Sequence, residues 1–142
     1  MADSALKQIL MDLWQGPQNL IGLARGVYKT GGLPYQSMDP EGNREFRFDV
    51  EGDDPLTLGS VISGPKGLSG TNLAHERVHT RQSRETGPAY TPLRMLGDAK
   101  SMHDTGDPYL SHPFEDEAFL ETAGNEELLN RLMLKKAYRK IK

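Results

Sequence analysis

The sequence predicts an α+β domain, and three features of the chain support this fold class. Apolar residues recur at helical spacing near the start of the chain. Polar and apolar residues alternate from Arg44 to Val50, as in a half-buried strand. A polar segment that runs from Thr71, a suitable N-cap, to about Glu85 is followed by Gly87-Pro88 and predicts a helix. A chain of 142 residues is about the size of one ordinary domain, so residues 1–142 are expected to form a single domain.

The first 30 residues are predicted to form a helical cover over the core. An amphipathic helix is indicated by apolar residues from Ala5 to Trp14, and Gly16-Pro17 would end it. A second apolar stretch, from Leu20 to Val27, is either another helix or a continuation after a kink at Pro17. The alternative is a helix that lies on a membrane surface, but the polar face lacks the basic stripe that is typical of such helices.

A small antiparallel sheet is expected between these helices and the polar helix. The alternation from Arg44 to Val50 places Phe46 and Phe48 on the same face as Val50. The segment from Leu56 to Ile62 has a similar pattern, which Gly59 interrupts as a bulge or a close backbone approach would. This second strand could align an extended peptide by pairing at its edge.

The polar helix contains an H-E-x-x-H motif at His75, Glu76 and His79. Residues four apart on a helix point the same way, so the two histidines can bind one zinc ion, and Glu76 can act as general base for a water molecule. The chain has no cysteine, so a metal must use imidazole and carboxylate ligands. The alternative is that both histidines are ordinary residues of a surface helix. That alternative suits a helix with an apolar stripe, and this one has only Leu73, Ala74 and Val78.

A hydrolytic zinc site has three protein ligands and one open position, so a third ligand should lie downstream. The pattern H-E-x-x-H-x-x-G-x-x-H, which supplies a third histidine ligand, is absent. It requires glycine at position 82 and histidine at position 85, where this chain has Gln82 and Glu85. A second helix is predicted to begin at His112-Pro113, with acidic residues in its first turn, and it favours a glutamate ligand. The residues that could supply this ligand are His103, Asp104, Asp107, His112, Glu115, Asp116, Glu117 and Glu121.

Four patches of the chain occur in an order that resembles a known group of proteins. They are W-Q-x-P-Q-N-x-x-G-L at 14–23, H-E-x-x-H-x-x-Q at 75–82, G-P-x-Y at 87–90 and P-F-E-x-x-A at 113–118. This order is similar to that of small bacterial zinc peptidases of the gluzincin type. The resemblance implies a zincin-like fold, in its minimal gluzincin form, with an active-site helix, a small antiparallel sheet and flanking helices. It also implies that the first glutamate of the E-x-x-A helix, here Glu115, is the third zinc ligand.

The chain departs from the wider gluzincin pattern at one position. Where E-x-x-A-D has an aspartate that often orients a ligand histidine, this chain has Phe119. The residue that orients the histidine must therefore come from elsewhere, and the candidates are Asp104, Asp107 and Asp116.

The function expected from these features is that of a zinc-dependent hydrolase, specifically a metalloendopeptidase. Zn2+ on His75, His79 and Glu115 would activate water against a peptide or protein substrate, with Glu76 as general base. Tyr90 is a second catalytic candidate, since its hydroxyl could donate a hydrogen bond to the developing oxyanion, although packing is its alternative role. A catalytically degenerate zincin-fold binding module is the other function that the sequence allows.

Composition disfavours other classes of partner. With 17 basic and 20 acidic side chains, the chain has no field that would gather nucleic acid, and none is expected as a partner. The first apolar stretch is too interrupted for a signal peptide or a membrane span, so a cytoplasmic protein without stable membrane insertion is expected. The sequence leaves the oligomeric state open.

The remaining segments are a loop and a helix. Gly97 to His112, rich in glycine, proline and aspartate, is predicted to be a mobile flap or linker. Residues 126–142 are predicted to form a C-terminal helix with a basic end, which suits the negative end of a helix dipole.

Overall fold

The fold combines helices with one small sheet, which confirms the predicted α+β class. A computed structural model describes residues 2–139. Lys140 and Lys142 of the predicted basic end lie outside the described residues. Contacts within the chain divide it into two compact units, which are Met1–Tyr90 (unit 1) and Thr91–Lys142 (unit 2). That residues 1–142 form a single domain stays a prediction.

Unit 1 begins with two helices, α1 (Ala2–Trp14) and α2 (Gly16–Thr30). Pro17 lies in the first turn of α2, where the N–H group that proline lacks would have no helical partner. The chain therefore starts a new helix at this point. At the other end of α2, Gly31 adopts a φ of 67° and its N–H donates to the carbonyl oxygen of Val27 at 2.8 Å.

The face that α2 buries differs from the one that the apolar pattern predicts. Leu13 of α1 is 71% exposed and Leu20 of α2 is 69% exposed. The residues of α2 that are buried are instead Gln18, Asn19, Gly22 and Gly26. Amide side chains can hydrogen-bond and glycines allow close approach, so α2 covers the sheet through polar contacts and backbone proximity.

Four strands form the sheet of unit 1, in the order β1-β2-β4-β3. They are β1 (Tyr35–Met38), β2 (Arg44–Asp49), β3 (Leu56–Leu58) and β4 (Val61–Gly64). The β1–β2 and β3–β4 pairs are antiparallel, whereas β2 and β4 run parallel. The sheet is therefore mixed, and the prediction of an antiparallel sheet is wrong for the β2–β4 pair.

The cause of this difference is Gly59. Its φ of 69° lies in the left-handed region that favours glycine, so the chain reverses there and the segment predicted as one strand becomes the β3–β4 hairpin. The second arm of this hairpin then lies beside β2 in the same direction.

The apolar core of unit 1 is a cluster of Phe48, Val50 and Val61, with Leu23 and Phe46 packed against it. The shared face predicted for residues 46, 48 and 50 is thereby confirmed. At Gly26, α2 lies close to this cluster, because a Cβ atom at that position would lie 2.3 Å from the Phe48 ring.

Helix α3 (Gly70–Thr86) follows the sheet and carries the H-E-x-x-H motif. Its N-cap is Ser69, two residues before the predicted Thr71, and Ser69 has an extended backbone. The helix ends where Gly87-Pro88 predicts, with Gly87 at a φ of 55° as its C-cap. A short 3-10 helix, Gly87–Ala89, leads into the next element.

The remaining helices are α4 (Tyr90–Thr105), α5 (Pro113–Thr122) and α6 (Asn125–Arg139). The prediction of a mobile flap from residue 97 is wrong for its first half, because residues 97–105 belong to α4. Gly97 serves close packing within unit 2, since a Cβ atom there would lie 2.4 Å from His112 Nε2. Gly97, which favoured a loop in the sequence analysis, is thus part of a helix.

Helix α6 confirms the predicted C-terminal helix as far as the chain is described. Two of its cations bind α5, because Arg131 and Lys135 lie 3.1 Å and 2.5 Å from the Asp116 carboxylate. These ion pairs attach α6 to α5 within unit 2. Among all helices of residues 2–139, none has the length and the apolar character needed to cross a membrane.

Gly26→Ala is expected to lower the free energy of unfolding by about 1–3 kcal/mol, because the added methyl group would overlap the Phe48 ring. Gly16→Ala in the same helix is the matched control, since nothing lies within 4 Å of a Cβ atom there. Urea unfolding followed by circular dichroism measures both variants. Equal stabilities of the two variants would contradict the close contact between α2 and the core.

Candidate metal centre

The three residues of the H-E-x-x-H motif lie on α3. The rings of His75 and His79 are 5.0 Å apart between centroids, in an edge-to-face arrangement. His79 and Glu76 are buried, and His75 is half-buried. Burial of these polar groups disfavours the interpretation of the motif as part of an ordinary surface helix.

Gln82 contacts the second histidine of the motif. Its Oε1 lies 2.8 Å from His79 Nδ1, and both side chains are buried. Because an amide oxygen can only accept, the imidazole donates from Nδ1 and keeps its lone pair on Nε2. This contact therefore holds His79 in the tautomer that can bind a metal ion through Nε2.

Thr57 contacts the glutamate of the motif. Its Oγ1 donates a hydrogen bond to Glu76 Oε2 at 2.7 Å, from a side chain that is 1% exposed in β3. A buried carboxylate needs hydrogen-bond donors to replace water. This contact supplies one and links α3 to the sheet.

Arg77, which lies between the two histidines in the motif, binds strand β2 of the sheet. Its Nε and Nη2 donate to the two carboxylate oxygens of Glu45 in β2, at 2.7 Å and 3.0 Å. The hydrogen bond to Glu45 raises the pKa of Arg77, and burial opposes this rise. A bidentate pair of this kind fixes direction as well as distance, so it sets the position of α3 on β2.

The N-terminal W-Q-x-P-Q-N stretch binds the C-terminal end of α3. Gln18 Nε2 donates to Ser83 Oγ at 3.0 Å and to the Gly87 carbonyl oxygen at 2.7 Å. Trp14 Nε1 donates to the carbonyl oxygen of Arg84 at 3.0 Å. Two of the carbonyl groups at this helix end thereby find side-chain partners.

The same stretch binds the β3–β4 turn. Asn19 Oδ1 accepts from the Ser60 N–H at 2.8 Å and from Ser60 Oγ at 3.1 Å. A Cβ atom at Gly59 would lie 2.0 Å from Asn19 Oδ1, so glycine is required by space as well as by its φ. Helix α2 thus positions both α3 and the strand that carries Thr57.

In unit 2, Glu115 lies in the first turn of α5 and is buried. Arg94 of α4 donates from Nη2 to Glu115 Oε1 at 2.9 Å. A charge-assisted bond between two largely buried side chains fixes the direction in which the Glu115 carboxylate points.

His112, a candidate ligand from the sequence, is the N-cap of α5. Its Nδ1 accepts from the Phe114 N–H at 3.0 Å, and its Nε2 donates to the Arg94 carbonyl oxygen at 3.0 Å. Both ring nitrogens are used within unit 2. His112 therefore positions the start of α5, the helix that carries Glu115, and does not act as a metal ligand.

The aspartates considered as partners of a ligand histidine bind other groups. Asp104 accepts from Lys100 Nζ at 2.7 Å and from His103 Nδ1 at 3.0 Å, and these bonds lower the pKa of Asp104 to about 2. Asp107 accepts from backbone N–H groups of the turn that follows it. Asp116 pairs with α6.

Phe119, which stands where the gluzincin pattern has an aspartate, packs against α6. The guanidinium carbon of Arg131 lies 4.2 Å from the centre of its ring. This cation–π contact gives the position a packing role. The hydrogen-bond acceptor for a motif histidine comes instead from α3 itself, as Gln82.

His75, His79 and Glu115 form a group that could hold a metal ion, since one ligand atom from each lies within 4.8 Å of the others. Two imidazoles and one carboxylate match the donors of a hydrolytic zinc site, in which a fourth position stays open. Calcium and magnesium prefer oxygen ligands only. The donor set therefore fits zinc.

Tyr90, the other catalytic candidate, is 0% exposed at the start of α4. Complete burial suits the packing role that was its alternative. A catalytic role for Tyr90 stays a prediction.

Comparison of the chain with protein-family models, with curated proteins and with solved structures finds no significant match.

The contacts that Thr57, Gln82 and Arg94 make at the site are among those that were not predicted from the sequence. Gln82 stands three residues after His79, and this helical spacing is a signal that could have identified its contact. Thr57 and Glu76 are 19 residues apart in different elements, so no local pattern indicates their contact.

His112→Ala is expected to lower the free energy of unfolding by about 2 kcal/mol, because it removes the N-cap of α5 and a buried hydrogen bond to α4. His103→Ala is the matched control, since that side chain is 82% exposed and its ion pair is worth little. Chemical unfolding of both variants measures the difference. A loss as small for residue 112 as for residue 103 would contradict the anchoring role of His112.

Proposed function

We propose that this chain is a zinc-dependent hydrolase with a zincin-like, minimal gluzincin fold, and that it cleaves peptide bonds as a metalloendopeptidase. The observation that carries the proposal is the group formed by His75, His79 and Glu115. Glu76, adjacent to His75 on α3, adds the base that hydrolysis requires.

Bound zinc supplies a Lewis acid for the substrate carbonyl and lowers the pKa of a water molecule to about 7. Glu76 accepts a proton as the water oxygen attacks the carbonyl carbon, and donates a proton to the amine nitrogen as the C–N bond breaks. Burial of Glu76 limits its exchange with bulk water, and the Thr57 hydrogen bond holds one of its two oxygens.

An extended peptide is the substrate class that the sheet supports. In the order β1-β2-β4-β3, β3 is an edge strand that pairs with β4 on one side only among the described strands. Its other edge offers backbone groups to a peptide, and β3 packs on α3. The net charge of −3 supports a peptide or protein partner over nucleic acid.

A zinc-binding module without turnover is the second candidate function. It is favoured by apolar side chains that stay exposed along α1, which offer a surface to a protein partner. They are Leu6, Ile9, Leu10 and Leu13. The two candidates differ in what Glu76 does.

Glu76→Gln is expected to lower peptide hydrolysis by roughly 10²-fold or more while zinc stays bound in a ratio near one per chain, because an amide cannot accept the proton. Glu85→Gln, an exposed position of the same helix, is the matched control and should retain activity. Mass spectrometry of a peptide library incubated with each zinc-loaded protein measures hydrolysis, and elemental analysis measures zinc. Full activity of Glu76→Gln would exclude this mechanism, and zinc binding without any hydrolysis by the unmodified protein would favour the binding module.

Glu115→Ala is expected to weaken zinc binding by roughly tenfold or more, since it removes one of three ligands. Glu121→Ala on the same helix is the control, because its exposed side chain is not part of the proposed ligand group. Competition with a chromophoric chelator measures the zinc dissociation constant of each variant. Unchanged affinity after loss of Glu115 would remove this residue from the site.

A further inference from the structure

Two buried side chains outside the H-E-x-x-H residues each contact one working group of the motif. Thr57 binds Glu76, and Gln82 binds His79. We propose that Thr57 is a positioning residue for the general base and that Gln82 is a positioning residue for a zinc ligand. The inference rests on the proposed function, and it assigns turnover and metal affinity to different supporting residues.

The contact of Thr57 is specific to one carboxylate oxygen. Oγ1 lies 2.7 Å from Glu76 Oε2 and 3.4 Å from the Glu76 carbonyl oxygen. A hydroxyl has one proton to donate, so the shorter contact to Oε2 takes it. With Oε2 held in this way, Oε1 is the oxygen that remains to exchange a proton with water and with the leaving amine.

The position of Thr57 is itself fixed from both sides. It pairs with Ile62 in the hairpin register, and the turn of that hairpin is held by Asn19. Helix α3, which carries Glu76, is held at its C-terminal end by Gln18. Because α2 contacts both the β3–β4 hairpin and α3, the Thr57 hydroxyl and the Glu76 carboxylate are held in place relative to one another before any substrate binds.

The contact of Gln82 has a different consequence, since it acts on a metal ligand. Gln82 lies one turn of α3 beyond His79, so the same helix carries the ligand and its partner. Its Oε1, 2.8 Å from Nδ1, determines which ring nitrogen keeps a lone pair and how the ring is turned. Partners of this kind, when removed, change metal affinity by roughly tenfold to a hundredfold.

These two roles predict that substitutions at Thr57 and Gln82 change different quantities. Thr57→Val keeps the size and branching of the side chain but removes the hydroxyl, so kcat should fall roughly tenfold or more while KM and the zinc dissociation constant change little. Thr57→Ser restores the hydroxyl and should recover most of kcat. Gln82→Met should raise the zinc dissociation constant roughly tenfold or more, and Gln82→Glu, which keeps an acceptor, should bind zinc at least as tightly as the unmodified chain.

The four variants are measured together, by chelator competition for zinc affinity and by peptide hydrolysis at saturating zinc. The Thr57 variants and the Gln82 variants are controls for each other. A general loss of structure would lower both zinc affinity and hydrolysis, whereas the two proposed roles predict that each pair changes mainly one of them. A second readout for Thr57 needs no zinc or activity. It is the carboxyl carbon-13 NMR signal of Glu76, which should shift in Thr57→Val and return in Thr57→Ser.

The outcomes separate this inference from the proposed function. If the unmodified chain binds zinc and hydrolyses peptides but Thr57→Val matches it in kcat, the role of Thr57 is wrong and the proposed function stands. Unchanged zinc affinity of Gln82→Met overturns the role of Gln82 in the same way. If the unmodified chain binds no zinc, the proposed function and both positioning roles fail together.

Discussion

The polar packing of α3 in unit 1 is the constraint on which the candidate site depends. The helix buries the polar side chains of Glu76, His79 and Gln82, and Val78 is the apolar residue among those it buries. Apolar burial is not directional, whereas hydrogen bonds fix distance and angle together. The hydrogen bonds from the sheet and from α2 to α3 therefore define the position of the motif with greater precision than an apolar stripe could.

The same principle applies to unit 2, where the candidate third ligand lies at a helix start. His112 closes the first turn of α5 and at the same time binds the backbone of α4, and Gly97 leaves room for its ring. Arg94, whose carbonyl oxygen accepts that bond, binds Glu115 with its side chain. Two side chains thus couple the direction of the Glu115 carboxylate to the packing of α4 and α5.

The sequence-based predictions are accurate where a feature depends on neighbouring residues and fail where it depends on distant ones. The ends of α3 and the start of α5 depend on neighbouring glycine, proline and capping residues, and they were predicted to within two residues. The parallel β2–β4 pair and the helical course of residues 97–105 were not, because both depend on contacts with distant residues. Glycine has the same appearance in a sequence whether it ends a helix or packs beneath a histidine ring.

By itself, the sequence determined the α+β class, the motif residues on one helix, and Glu115 in the first turn of another. Helical periodicity, capping and ligand chemistry operate over a few residues, so they can be deduced from the chain alone. Only the tertiary structure decided that Gln18 and Asn19 would form the buried face of α2, that Thr57 would meet Glu76, and that position 119 would pack against Arg131. The physical reason is that a hydrogen bond or ring contact between distant residues leaves no periodic trace, since its partners are brought together by the path of the backbone.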